Sequence, residues 1–357
     1  MRERKRGDRV REVLPALVGN EALRRRVGED LAAGGFSHAY ILEGPEGSGK
    51  HTLALEIARA LACARRTDGD SPLPCGKCPA CRKIAAGNCP DVLFVSRPAG
   101  KATMGVDTVR ALRESVDVLP NESDVKVYIV EDAQTMTVQA QNALLLTLEE
   151  PPPFVVFLLL CTEAGALLET IRSRAPTWRL QPASEEEIAS YLLDEARPAV
   201  SRTAKALRER APEEFTALLR MANGRIGRAL ALLEEKQRAP MMARRADAQT
   251  LCELLANGRK NDTVMQLLLS FGTARDELIA RLTVVDEALR DLSVLARCEQ
   301  APMLFFTDRE EAAELSARFT ERRLLDLIRA TDDTIAALVA NANARLAITQ
   351  YLCRLTA

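Results

Sequence analysis

Short apolar runs alternate with amphipathic segments through the first half of the chain. Four of these runs have the length of buried strands, and they span residues 39–42, 92–95, 127–130 and 155–160. Between the first two runs, Leu53, Ile57 and Leu61 recur at every fourth position, which is the spacing of one helix face. Strands that alternate with helices predict a parallel sheet that is covered by helices on both faces.

After residue 183 the apolar positions follow helix spacing alone. Ser184 and Glu187 form the pattern of a capping box, which predicts the start of a helix. Residues 238–245 contain Pro240 and three arginines and predict a linker. From Leu278 to Leu295, apolar side chains recur at helix spacing, which favours a core helix of a bundle, with a coiled-coil seam as the alternative.

The chain is therefore expected to be α/β plus all-α. The predicted division has three parts: an α/β domain over residues 1–181, a small helical domain over residues 182–240, and a helical bundle over residues 241–357. A length of 357 residues fits two or three domains of ordinary size.

Composition narrows the possible functions. The 49 basic and 50 acidic residues leave a net charge of -1, which argues against gripping nucleic acid by bulk charge. Aromatic residues make up 4% of the chain, too few for a platform that stacks bases. No apolar run approaches the roughly 20 residues of a membrane span, so we expect a cytoplasmic protein without membrane contact. The basic run Arg2–Arg11 predicts a solvated tail, with contact to DNA or acidic partners as the alternative.

A glycine-rich loop between the first predicted strand and the next helix has the context of a phosphate-binding loop. Glycines let backbone N–H groups converge on an anion, the helix N-terminus adds a positive dipole end, and a lysine reaches the terminal phosphates. The candidate phosphate-binding residues are Gly44, Gly47, Ser48, Gly49 and Lys50.

The sequence differs from the pattern of active P-loop ATPases at two places, which weakens the prediction of ATP hydrolysis. The residue after Lys50 is usually Ser or Thr, whose hydroxyl binds Mg²⁺, but here it is His51. Thr52 lies about 100° further round the helix and is a poor substitute. The strand at 127–130 ends in Glu131-Asp132, the reverse of the Asp-Glu order in P-loop ATPases, so Asp132 falls about one methylene short of the attacking water.

Four cysteines predict a structural zinc site. Cys63, Cys75, Cys78 and Cys81 include two Cys-x-x-Cys steps, and four thiolates suit a tetrahedral ion with no open position. The insert at 63–81 is poor in apolar residues and needs a bound metal ion of this kind to fold. Redox chemistry of the Cys-x-x-Cys pairs is the alternative.

Together these features resemble bacterial DNA polymerase III clamp-loader subunits, and the delta-prime branch more than the ATP-hydrolysing gamma/tau branch. Besides the glycine-rich loop and the insert, the resemblance rests on His38-Ala39-Tyr40, Pro90-Asp91-Val92, Asn142–Leu145, Leu148–Pro152 and Ser173-Arg174. It implies an AAA+ module, in which a RecA-like P-loop domain and a helical lid precede a helical collar that joins subunits in a ring.

The resemblance also implies roles for single residues. Arg174 is the arginine finger that serves a neighbouring subunit's ATP, and Thr162 occupies the sensor-1 position. Gly227 stands where motor subunits carry the sensor-2 arginine, which adds a third departure from an active ATPase. The implied function is a non-hydrolysing or weakly active subunit, with an active gamma/tau-type motor as the alternative. Implied partners are the gamma/tau and delta subunits, the sliding clamp and primed DNA; zinc is the implied cofactor, and ATP with Mg²⁺ stays open.

Overall fold

The computed structural model describes residues 11–32, 35–68, 71–258, 261–298, 300–301 and 303–356. Of the basic run Arg2–Arg11, all but Arg11 lies outside these residues. The described chain forms two compact units. Unit 1 runs to Tyr191 and includes Gly224–Gly227, and unit 2 consists of Leu192–Asn223 and the residues from Arg228 onward.

Unit 1 is built on a five-stranded sheet in which every strand pair is parallel. The strands are β1 Ala39–Glu43, β2 Val92–Val95, β3 Lys126–Val130, β4 Val155–Cys161 and β5 Thr177–Arg179. Their order across the sheet is β2-β3-β4-β1-β5. The four predicted strands are confirmed, whereas the three-residue β5 has too few positions to show a pattern in the sequence.

Helices cover both faces of this sheet. Unit 1 contains α1 Glu21–Ala32, α2 Lys50–Leu61, α3 Pro79–Ala85, α4 Val106–Val116, α5 Val138–Glu149, α6 Glu169–Arg172 and the part of α7 Glu185–Leu193 up to Tyr191. Val127 and Ile129 of β3 pack with apolar residues of α1 and α2, while Tyr128 and Val130 pack on the other face with α4 and α5. Side chains of a strand alternate between faces, so both faces of the central strands are buried.

The predicted capping box is present at the start of α7. The backbone N–H of Glu187 donates to Ser184 Oγ at 3.1 Å, and the N–H of Ser184 donates to Glu187 Oε2 at 2.8 Å. Beyond β5 the structure assigns no strand to any described residue. None of the described helices is both long and apolar enough to cross a membrane.

Unit 2 is entirely helical over its described part. Its helices are α8 Pro198–Arg210, α9 Pro212–Ala222, α10 Ile226–Leu233 (the first two residues of which belong to unit 1), α11 Glu235–Ala256, α12 Asn261–Ser270, α13 Arg275–Leu295, α14 Arg309–Ser316, α15 Glu321–Val339 and α16 Ala344–Thr356. Helix α13 is the predicted core helix, since Leu278, Leu282, Leu289 and Leu292 are fully buried in it. The expected α/β plus all-α class is confirmed. The three-part division at residues 181 and 240 stays a prediction.

The linker predicted at residues 238–245 is wrong, because these residues lie inside the continuous helix α11. Arg238 and Arg245 are not solvated but buried. Arg238 donates to the carbonyl oxygens of Leu232 at 3.1 Å and Leu233 at 3.0 Å. These bonds join the first turns of α11 to the end of α10. The sequence does not show which oxygen atoms accept hydrogen bonds from these guanidinium groups. A cluster of arginines therefore suggests a segment that is exposed to solvent.

We expect Arg238→Ala to lower the free energy of unfolding by about 3 kcal/mol. The change leaves two carbonyl oxygens and Glu214, which lies 3.2 Å from Arg238 Nε, without this donor. Chemical denaturation of the full chain measures the effect. Lys236→Ala is the matched control, since Lys236 is an exposed basic residue of the same helix and its loss should cost less than about 0.5 kcal/mol. Equal effects of the two variants would contradict a structural role for Arg238.

Candidate functional sites

The glycine-rich loop connects the end of β1 to the first residue of α2. Gly47 has φ 77° and Gly49 has φ 99°, backbone conformations that favour glycine because they crowd a Cβ atom. Lys50 starts α2, and its Nζ donates to the carbonyl oxygens of Gly44 at 2.6 Å and Pro45 at 2.9 Å. The ammonium group is therefore held by the loop itself. Burial lowers the pKa of Lys50, against the opposing charges of Asp132 and Glu46.

Gly227 lies directly on this loop. Its backbone N–H donates to the carbonyl oxygen of Gly47 at 2.9 Å. A Cβ atom at position 227 would lie 2.9 Å from Gly47 Cα, closer than real Cβ contacts allow. The close approach of the two backbones thus requires glycine at 227, and an arginine there would have to push the segments apart.

Both acidic residues after β3 are paired within the chain. His51 Nε2 lies 3.3 Å from Glu131 Oε1, and the imidazole stacks on Phe94 with ring centroids 5.4 Å apart. An Arg97 guanidinium nitrogen lies 3.6 Å from a carboxylate oxygen of Asp132. Any cation that bound these carboxylates would have to displace or share these partners.

The remaining residues that the sequence predicts for the nucleotide site make fewer contacts with the glycine-rich loop and the acidic pair. Thr52 is exposed on α2 and Ser48 is buried in the loop. Thr162 follows β4, and its N–H donates to Gln134 Oε1 at 3.3 Å. The amide nitrogen of Gln134 is in turn 3.5 Å from Asp132 Oδ1, so Gln134 connects Thr162 with Asp132. All of these groups lie at the carboxyl edge of the parallel sheet, where such sheets bind ligands.

The four predicted cysteines form one cluster. Their Sγ atoms all lie within 4.8 Å of one another. Cys63 follows the end of α2 rather than lying in its last turn, and Cys78 is the N-cap of the short helix α3. Backbone N–H groups of Cys75 and Cys81 point at sulfurs, at 3.5 Å from Cys63 Sγ and 3.4 Å from Cys78 Sγ. N–H groups aimed at sulfur stabilise the thiolate form that metal binding requires.

The pKa of Cys75 illustrates this environment. Burial acts to raise this pKa, but backbone N–H groups of Lys77 and Cys78, together with hydrogen bonds from the neighbouring thiols, lower it to about 6. Burial raises the pKa of the more deeply placed Cys81. Four thiols so close together cannot all ionise without a cation among them.

The insert is tied to the segment before α1. The guanidinium of Arg11 donates to the carbonyl oxygens of Ser71 at 2.8 Å, Arg66 at 2.9 Å and Arg65 at 3.0 Å. Val13 and Leu73 form a parallel bridge beside these contacts. The insert is thus anchored at two places, at the end of α2 through Cys63 and at the start of the described chain.

Comparison with known proteins addresses unit 1. Residues 19–184 match the family described as DNA polymerase III, delta subunit. The chain is 34% identical over 176 residues to DNA polymerase III subunit gamma of Buchnera aphidicola subsp. Schizaphis graminum, covering 49% of this chain and 47% of that protein. It is 37% identical over 161 residues to subunit delta' of Yersinia pestis, covering 45% and 46%. It is 38% identical over 158 residues to subunit gamma/tau of Mycobacterium tuberculosis strain H37Rv, covering 44% and 27%.

The matched residues are similar to subunits of DNA polymerase III. The family match lies within unit 1, and this chain spans less than half the length of each of these three relatives. The expected α/β plus all-α class agrees with the parallel sheet of unit 1 and the helices of unit 2. The chain is 34%, 38% and 37% identical to the gamma, gamma/tau and delta' relatives, so sequence identity alone does not favour one of these subunits.

The candidate arginine finger of the clamp-loader family lies just after α6. Arg174 is about one-third exposed, and one of its terminal nitrogens donates to Glu149 Oε1 at 2.8 Å. The other donates to the carbonyl oxygen of Thr170 at 2.9 Å. A guanidinium carries five N–H donors, so these two bonds fix its plane and leave donors for another acceptor.

Sequence reasoning missed four residues that the structure brings to these sites: Phe94, Arg97, Gln134 and Glu149. Arg97 and Gln134 follow β2 and β3 at the same sheet edge as the acidic pair, which is a usable cue once the strand order is known. Glu149 belongs to a segment that resembles the clamp-loader family, yet its contact with Arg174 depends on tertiary structure.

Proposed function

We propose that this chain is a subunit of the DNA polymerase III clamp loader that does not itself turn over ATP, the role of the delta-prime subunit. One observation carries the proposal: the groups that an active P-loop site directs at nucleotide and metal are already paired within the chain. Lys50 is bonded to the loop carbonyls, Glu131 faces His51, and Asp132 faces Arg97.

The residues fit a phosphate group better than they fit Mg²⁺. The loop glycines and the N-terminus of α2 keep the geometry of an anion cradle. His51 offers no hydroxyl to a metal and instead occupies one of the two carboxylates that would hold it. Gly227 supplies no cation to a terminal phosphate and packs on the loop backbone. These features support nucleotide binding at the loop but not hydrolysis of the nucleotide.

We further propose that the four cysteines hold one structural zinc ion. Zinc–sulfur bonds of about 2.3 Å in a tetrahedron set the sulfurs about 3.8 Å apart. Sulfurs that lie within 4.8 Å of one another need only small shifts to reach that geometry. All four positions of the ion would be filled by protein, so it would stabilise the insert and offer no site to a substrate.

Arg174 is proposed to act on a neighbouring subunit's ATP. Its remaining N–H donors and its partial exposure suit a γ-phosphate presented by another chain. The partners of this role are the gamma/tau and delta subunits, with the sliding clamp and primed DNA reached through the assembled complex.

A second candidate function is an ATP-hydrolysing motor of the gamma/tau type. Lys50 and the cradle glycines are intact, and relatives named gamma or gamma/tau are as similar to this chain as the relative named delta'. The paired carboxylates and Gly227 favour the non-hydrolysing role.

Reconstitution with the gamma/tau and delta subunits of the same organism tests the proposal. We expect a stable complex that loads the sliding clamp onto primed DNA only when this chain is present. A Lys50→Ala chain should support loading as well as the unchanged chain, whereas the motor alternative requires Lys50 for turnover. Efficient loading without this chain would contradict the proposed function.

A further inference from the structure

Unit 2 contains a cavity of about 240 Å³ that is lined by an unusual number of arginines. They come from three helices, with Arg220 on α9, Arg228 on α10, and Arg244 and Arg245 on α11. Of the residues that line the cavity, only Glu287 of α13 carries a carboxylate. The cavity belongs to unit 2 alone and shares no residue with the glycine-rich loop.

Two of the arginines are held in place by other parts of unit 2. Arg244 makes a two-point contact with Glu277, with nitrogen–oxygen distances of 3.1 and 2.6 Å. Arg245 is buried, donates to the carbonyl oxygen of Phe305, and lies 4.3 Å above the ring of the same residue. Arginines fixed in this way do not lose further side-chain freedom when a ligand binds.

Two acidic groups lie just outside the cavity, and each has partners of its own. The buried Asp291 accepts backbone N–H groups, at 2.9 Å from Leu304, 2.7 Å from Phe305 and 3.2 Å from Phe306. Glu277 offsets Arg244 and also contacts Arg281 at 2.9 Å. Even with Glu277 and Glu287 set against the four arginines, positive charge exceeds negative charge along the cavity wall.

The pKa shifts of two lining residues reflect their burial. Burial lowers the pKa of Arg245 and raises that of Glu287, as expected for charged groups that are withdrawn from water.

We propose that this cavity binds a small phosphate-type oxyanion, orthophosphate or pyrophosphate. Guanidinium groups match the geometry of phosphate oxygens, and an anion would relieve the repulsion among the arginines. The cavity has a volume of about 240 Å³. It is below the range of about 300–1,000 Å³ that is typical of sites for larger organic ligands, which argues against a whole nucleotide.

Calorimetric titration of the full chain with orthophosphate and with pyrophosphate, at constant ionic strength, tests this site. We expect Arg228→Gln to weaken binding about tenfold or more, because it removes a charge-assisted hydrogen bond. Glu287→Gln should tighten binding, because it removes the carboxylate that competes with the anion. Arg329→Gln is the control for loss of a positive charge, since Arg329 is largely exposed on α15 away from the cavity.

The glycine-rich loop is a second element that could bind these anions, so the titrations are repeated with Lys50→Ala. Binding that survives Lys50→Ala and responds in opposite directions to Arg228→Gln and Glu287→Gln supports the proposal. Binding that disappears in Lys50→Ala, or that neither cavity variant changes, overturns it. A response to a single-stranded oligonucleotide without any response to orthophosphate or pyrophosphate also overturns it. If the Arg228→Gln variant fails to fold, the expected gain in anion affinity of Glu287→Gln still tests the proposal.

Discussion

In a clamp loader assembled with the Arg174→Ala variant, clamp loading should fall about tenfold or more while the ring stays assembled. Arginines that reach the transferring phosphate from a neighbouring chain contribute about 10³- to 10⁵-fold to phosphoryl transfer at the site they serve. This chain would serve one site among several. The loss in total ATP turnover should therefore be partial, and the loss in loading larger, because loading needs the sites to act together.

Two control variants separate this role from that of a structural ion pair. Arg172→Ala removes an exposed arginine at the end of α6 and should leave loading unchanged. Glu149→Gln keeps a hydrogen-bond acceptor for Arg174 but removes the ion pair, which at this exposure is worth at most about 1 kcal/mol. If Arg174 only pairs with Glu149, the Arg174→Ala and Glu149→Gln variants should show the same small defect, and the proposed finger would be wrong.

Replacing Cys78 by serine should remove most of the bound zinc and loosen the insert at residues 63–81. Tetrathiolate zinc binding is worth about 10 kcal/mol or more in small modules that depend on it. We expect one zinc per chain in protein purified without chelator, and strong loss of zinc together with faster proteolysis of the insert in Cys78→Ser. Strong chelators should produce the same change in the unchanged chain.

Cys89→Ser is the matched control for this experiment. Cys89 is half-buried and packs against the same apolar cluster, but it is not one of the four clustered thiols. Its zinc content and proteolysis should match those of the unchanged chain. A chain that contains no zinc and has four freely titratable thiols at these positions would rule out the proposed metal site.

Local spacing is enough to predict the parts of this protein that depend on short stretches of chain. The four longer strands, the loop between β1 and α2, the capping box of α7 and the cysteine cluster each follow from residues close together in sequence. β1, β3 and β4 are buried on both faces, so continuous apolar runs mark them clearly, whereas the edge strand β2 is only partly buried.

The missed features depend on partners that are distant along the chain. From the sequence, the only consequence of His51 that can be recognised is the loss of a hydroxyl group. In the structure His51 also lies next to Glu131, 80 residues further along the chain. The sequence around Arg238 predicts a linker because the carbonyl oxygens that accept from its guanidinium cannot be seen in a charge pattern. The contact between Gly227 and Gly47 likewise joins segments far apart in sequence.

ATP hydrolysis by the purified chain on its own, measured beside the Lys50→Ala variant, tests the central claim most directly. A site whose lysine and carboxylates are paired within the chain should show negligible turnover with saturating ATP and Mg²⁺, and Lys50→Ala should not change it. A turnover of order one per second that Lys50→Ala abolishes would contradict the account and identify the chain as a motor subunit.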